Sequence, residues 1–231
     1  MHPYAYVKDN LMRIREACDA RAERLGIKAP KLLAVTKSAT SDEVRALVED
    51  FGQTAIAENR TSLFSERYEM FSDEARPEMH LIGSLQTNKV KYIAGKTALI
   101  HSLDSLRLAA EIEKQSAKRE LRTRVLIEIN SGREEAKGGI LPEEADAFAE
   151  EIKRNYPHLS LSGVMTMAPI CATAEEYRPF FRETARIFHR LSDGGMLEGE
   201  PVLSMGMSES FEMAIEEGAT LIRVGRALFR K

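Results

Sequence analysis

Two cysteines in 231 residues, Cys18 and Cys171, are too few and too far apart to frame a disulfide scaffold. Neither stands at a paired metal-ligand spacing. The five histidines, at positions 2, 80, 101, 158 and 189, are scattered as well, which argues against a zinc site. No apolar run approaches the roughly 20 residues that cross a bilayer. The opening stretch MHPYAYVKDNLMRIREA lacks the apolar centre of a secretory signal. Basic excess is missing too: 33 Lys and Arg face 36 Asp and Glu, a net charge of −3, so there is no electrostatic case for nucleic acid. The expectation is a cytoplasmic protein without a nucleic-acid or membrane partner. No Pro/Gly/Ser-rich linker or low-complexity tract divides the chain, so residues 1–231 read as one domain, large enough to bury a substantial core.

What the chain does contain is an alternation of short apolar runs with longer amphipathic stretches. The runs are 32–36, 54–57, 79–82, 98–102, 124–129, 159–165, 202–205 and 219–224. Helical spacing occupies 41–51, 60–76, 87–94, 105–119, 142–155, 174–191 and 210–217. Leu11, Ile14, Ala17 and Cys18 add a helix before the first run. Ser41 before Asp42 and Glu43, Asp104, and Pro142 before Glu143 and Glu144 are the expected helix starts. Strict alternation predicts a parallel sheet with helices outside, and eight repeats match a (β/α)8 TIM barrel. A doubly wound open sheet is the alternative.

Polar and glycine residues collect where the runs end: Lys37 after the first, Glu58 and Asn59 after the second, Gly83 and Ser84 after the third. Asn130 to Gly132, Met167, Gly206 to Ser208, and Gly225 follow the later ones. In a barrel all of these lie on the carboxyl face, where such folds keep their sites. Lys37 ends the apolar run LLAVT, and a lysine desolvated there would be a nucleophilic amine. Its ordinary alternative is a surface charge. The turns at Gly206-Met207-Ser208 and Arg223-Val224-Gly225-Arg226 match the phosphate sites that barrels build after strands seven and eight. Ser208 has a plain alternative as an N-cap, and Glu209 and Glu212 oppose an anion unless they point outward. Arg223 shares a strand face with Leu221 and Gly225, pointing either into the barrel or to the surface. An amine facing an anion site fits a phosphorylated aldehyde.

The segments LLAVTKSATSDEV (32–44), AENR (57–60), HLIGSLQTNKVKYI (80–93), HSLDSLRLA (101–109), VLIEINSGREEAKGGI (125–140), LSGVMTM (161–167) and LSMGMSESFEMAIEEGATLIRVGRALF (203–229) together resemble the YggS/PROSC family of pyridoxal phosphate homeostasis proteins. That resemblance implies a barrel of the alanine racemase N-terminal type, with an extra N-terminal helix, and the cofactor pyridoxal 5'-phosphate (PLP). It implies that Lys37 holds PLP as an aldimine (Schiff base), that Asn59 approaches the ring hydroxyl and that Arg223 faces the pyridine nitrogen. A permanently charged guanidinium there would keep the ring nitrogen unprotonated. Ser208, Gly225 and Arg226 would hold the phosphate, Ser204 and Met205 would line the site, and Met165 would pack near the ring. His80 and Ser84 belong to the family's third-strand motif, where a histidine is more often a satisfied structural group than a catalyst. Ala57, Arg226 and Arg230 depart from the family's usual glycine, threonine and glycine. Lys137, in a glycine-containing loop, is either a solvated lysine or a second amine for receiving or releasing the cofactor.

Racemisation needs an acid/base on each face of the substrate, and in alanine racemase the second is a tyrosine from a further β domain. This sequence stops just after its eighth run, and its tyrosines at 4, 6, 68, 92, 156 and 177 fall on expected helices. The leading expectation is a monomeric PLP carrier that supports cofactor supply and amino-acid balance, with PLP-requiring apo-enzymes as possible recipients. The alternatives are a racemase-like PLP enzyme acting on amino acids, an aldolase-like barrel, and an interaction module without a ligand.

Overall fold

The structure, a computed structural model, describes residues 2–231. Its centre is a closed barrel of eight parallel strands in sequence order. The strands are β1 (Lys31–Val35), β2 (Ala55–Glu58), β3 (Glu78–Leu81), β4 (Leu99–Leu103), β5 (Thr123–Ile129), β6 (Leu159–Thr166), β7 (Val202–Ser204) and β8 (Leu221–Val224). All of the expected runs are strands, with ends displaced by one or two residues. β8 pairs back onto β1, Leu33 opposite Arg223, and that closure excludes the open-sheet alternative.

The helices are α1 (Ala5–Leu25), α2 (Ser41–Arg45), α3 (Thr61–Glu69), α4 (Val90–Ile93), α5 (Leu106–Ala117), α6 (Ala145–Asn155), α7 (Arg178–Asp193), α8 (Phe211–Glu216) and α9 (Arg226–Phe229). α9 escapes sequence reading because four residues carry no helical period. α2 runs on through a π turn at Ala46–Asp50. The helix expected over 60–76 stops at Glu69, and Arg76 folds back to donate to the Tyr68 and Phe71 carbonyls at 3.0 and 2.9 Å. Two expected caps move by one residue. Thr40, not Ser41, caps α2 in a reciprocal box with Glu43, and Ser105, not Asp104, accepts from Leu108 N–H at α5.

Side chains alternate across each strand, and this divides the core in two. Ile56, Met79, Leu81, Val125, Ile127 and Val224 face the helices and join one large outer cluster. Inside the barrel are only small apolar groups, Leu33, Val35, Ala55, Ala57 and Leu221 on one side, Leu99, Leu126 and Met165 on the other. The space between them is polar. α1 packs against α8 and α9. Its Asn10 amide donates to the carbonyls of Leu228 and Arg230 at 3.1 and 2.8 Å, and Arg21 pairs with Glu212 and Glu216, so the N-terminal helix clamps the end of the chain.

Candidate functional site

The strand period carries Leu33, Val35 and Lys37 up the inner wall of β1, and Lys37 emerges at the carboxyl mouth. A cavity of about 450 Å³ opens there. Seven of the anticipated residues line it: Lys37, Asn59, Met165, Ser208, Arg223, Gly225 and Arg226. Val35, Ile82, Met167 and Met207 supply apolar wall, and Gly83 and Glu128 complete it. Lys37 itself is exposed at the rim, contrary to the expectation of a desolvated amine. Its place in the site comes from position, not burial.

Two anticipated residues lie elsewhere. Ser204 is fully buried below the cavity, where its hydroxyl meets Arg223 and His101. Met205 is the next residue along, so the two-residue period turns it outward into the helix-facing core. Neither is part of the cavity wall.

Arg223 points inward, which resolves its two possible orientations. Its Nη1 donates to Ser204 Oγ at 2.7 Å and its Nη2 to the Thr166 carbonyl at 2.8 Å. Burial lowers it to about 10, which leaves it a cation at neutral pH. The anion-type turns meet beside it. Ser208 does not cap α8; its Oγ accepts from Ala227 N–H at 3.2 Å and so ties the β7 turn to the first turn of α9. Gly206 has φ +86°, and a Cβ there would lie 2.5 Å from Ala214 Cβ, so only glycine makes this turn. Glu209 and Glu212 are each matched by a cation, Arg226 (2.9 Å) and Arg21 respectively. The Arg226 guanidinium is therefore an exposed partner of Glu209 and not a group sealed in the site.

Opposite these turns, Asn59 and Gly83 press together; a Cβ on Gly83 would stand 2.1 Å from the Asn59 carbonyl oxygen. Behind Lys37, on the outer side of the barrel, a polar cluster holds its loop. Arg67 donates to the Ala39 carbonyl and to Ser41 Oγ, both at 2.7 Å, and its Nε lies 3.7 Å from Glu58. Glu58 accepts from Thr36, and burial pushes its carboxyl up to about 7. Lys137 pairs with Glu134 at 2.6 Å and lies outside the cavity wall.

Glu128 is the residue that sequence reasoning missed. Burial first, and the nearby Asp104 second, raise its carboxyl to about 7. The signal was present: an acid inside the run Arg124–Ile129, two residues from Leu126 and so on the inner face. Among the described residues no group of three or more potential ligands is placed to hold a metal ion, and no helix is long and apolar enough to cross a membrane.

Lys37, buried Arg223 and the turns at Gly206–Ser208 and Gly225 come together at the carboxyl mouth of an eight-stranded parallel barrel, the face on which barrels of this class keep their sites. The family model described as alanine racemase, N-terminal domain, matches residues 7–230, and the chain belongs to that family. Within it, the chain is 42% identical over 219 residues to the pyridoxal phosphate homeostasis protein of Aquifex aeolicus, covering 95% of this chain and 93% of that one. Among solved structures, PipY of Synechococcus elongatus with PLP bound superposes with a TM-score of 0.82 at 25% identity, over 96% of this chain and 99% of PipY. An alanine racemase from Clostridium difficile shares the fold at 17% identity and a TM-score of 0.77, with 97% of this chain matched to 56% of the racemase.

Proposed function

We propose that this protein binds pyridoxal 5'-phosphate reversibly through Lys37 and serves PLP homeostasis. The observation that carries this reading is the joint placement of Lys37, the Ser208–Gly225 turns and inward Arg223 around one cavity. The donor set fits the group. At about 450 Å³ the cavity admits a flat ring with a phosphate. The phosphate would sit against Ser208, Gly225 and the backbone opening α9. Asn59 would approach the ring hydroxyl and Met165 would pack near the ring, both being on the cavity wall. When bound, PLP supplies an aldehyde that condenses reversibly with a primary amine.

Whether the cofactor is held or activated depends on the chain's own residues. Arg223 presents permanent donors and no acceptor, so a ring nitrogen beside it stays unprotonated. That favours holding the cofactor over activating it. The relatives named for pyridoxal phosphate homeostasis and the PLP-bound PipY structure support the same reading. Delivery to PLP-requiring apo-enzymes, a monomeric state and a cytoplasmic location belong to this proposal. A visible spectrum of the purified protein, borohydride reduction and mapping of the modified lysine test it. Lys37→Ala abolishes the visible band while the fold persists; a band that survives assigns the anchor to another amine.

Glu128 favours a second reading, a racemase-like PLP enzyme acting on amino acids. Held near 7 on the cavity wall, it is an acid/base group distinct from Lys37. Turnover of a single-enantiomer amino acid well above that of free cofactor, lost in Glu128→Gln, would establish that activity.

A further inference from the structure

A chain of polar contacts runs through the inside of the barrel. It starts at the amino-terminal end, where Lys31 Nζ meets Glu78 Oε2 at 2.6 Å, and Glu78 Oε2 lies 3.5 Å from His80 Nε2. His80 Nδ1 is 2.9 Å from His101 Nε2, and His101 Nδ1 is 3.0 Å from Ser204 Oγ. Ser204 then accepts from Arg223 Nη1, on the floor of the cofactor cavity. His101 and Ser204 are fully buried and His80 is 3% exposed, so bulk water does not compete for the His80–His101 and His101–Ser204 contacts.

The order of donors comes from this geometry. Arg223 has only donors, so Ser204 Oγ must accept from it, and the Ser204 hydroxyl proton is left to donate to His101 Nδ1. His101 then carries its proton on Nε2 and donates to His80 Nδ1. His80 in turn carries its proton on Nε2, directed at the Glu78 carboxylate. The reverse order fails twice: it leaves the Ser204 proton without an acceptor and sets a bare ring nitrogen against Glu78. Burial and the neighbouring cations, Lys31 and Arg124 for His80, Arg223 and Arg124 for His101, favour the neutral rings, against the pull of Glu78 on His80.

We propose that His80 and His101 are positioning residues, a neutral two-histidine relay that orients the Ser204 hydroxyl and thereby locks the Arg223 guanidinium toward the cofactor ring. The role rests on the PLP-binding reading above. Two measurements separate the fate of the two ideas. In ligand-free protein labelled with nitrogen-15 at histidine, long-range proton–nitrogen correlation at pH 7 should show both rings neutral and protonated on Nε2. A charged ring, or a proton on His101 Nδ1, overturns the relay without reference to any cofactor.

The second measurement uses the nearly isosteric pair His101→Asn and His101→Leu with added PLP. Asn keeps an acceptor for Ser204, and Leu does not. The Leu variant should shift the visible band of the lysine-linked cofactor and bind PLP about fivefold more weakly, and Asn should restore most of both. Equal behaviour of the two variants overturns the positioning role. If the Leu variant fails to fold, Ser204→Ala breaks the same link and should reproduce the band shift; an unmoved band counts against the relay. Absence of any band in the unmodified protein defeats the cofactor reading itself.

Discussion

Replacing Glu128 by Gln tests the electrostatics of the cavity wall directly. In the unfolded chain this carboxyl titrates at its ordinary value near 4.5; in the folded chain burial and Asp104 hold it at about 7. Below 4.5 both states are protonated, and the group adds nothing to stability. As the pH rises the unfolded chain ionises first, so stability falls from 4.5 to about 7 and stays lower above that. At about 1.4 kcal/mol per pH unit the full penalty has an upper limit of roughly 3 kcal/mol. Glu128 borders an open cavity, where solvent screening reduces the loss, so about 1–3 kcal/mol is expected at pH 8. Gln has nearly the same shape and no charge. Urea unfolding of the two proteins at pH 5, 6, 7 and 8 should show a stability gap in favour of Gln that is small at pH 5 and widens to its full size by pH 8. A gap that does not change with pH, or one that favours Glu at high pH, would refute the reasoning.

Arg67→Met removes the donors that hold the Ala39 carbonyl and Ser41, and leaves Glu58 buried without its cation. It should cost about 2–4 kcal/mol in denaturant unfolding and raise amide exchange across 38–40, the loop between Lys37 and α2; unchanged exchange would mean that another contact holds that loop. Gly83→Ala forces a methyl group onto the Asn59 carbonyl and should destabilise by about 1–3 kcal/mol, with PLP affinity falling because Asn59 must move. Glu78 titrates in the opposite sense to Glu128. His80 and then Lys31 hold it down to about 2, so it stabilises the fold above its ordinary pKa, and that contribution is lost as the pH falls from 4.5 towards 2. An Lys31→Met variant should lose less stability than the parent over that acid range, as followed by circular dichroism.

Much of the architecture was legible in the order of residues. The eight apolar runs are short and carry their polar residues at one end, so both the strand positions and the loaded face of the barrel could be read. Lys37, Asn59, Ser208 and Gly225 all follow such runs, Arg223 lies one residue short of the end of the last one, and a parallel barrel brings every strand end to one mouth. Glu128 was missed although it holds the same penultimate place in its run as Arg223, whose alternation with Gly225 was read. Ser204 and Met205 cannot both line one site, because adjacent strand residues must face opposite ways. α9 and the exact caps depend on single turns, where no period accumulates.

The sequence by itself determined the strand–helix alternation, the face that carries chemistry and the lysine at its rim, because period and position along a strand are local properties. Only the tertiary structure decided that Arg223 points inward, that Lys37 is exposed, and that His80, His101 and Ser204 form one chain. Those outcomes depend on closure of β8 onto β1, which sets Leu33 beside Arg223, and on which side chains then share the barrel interior, such as His101 and Ser204, 103 positions apart. Burial sets the charge and hydrogen-bond order of such groups, and burial exists only once the barrel has closed.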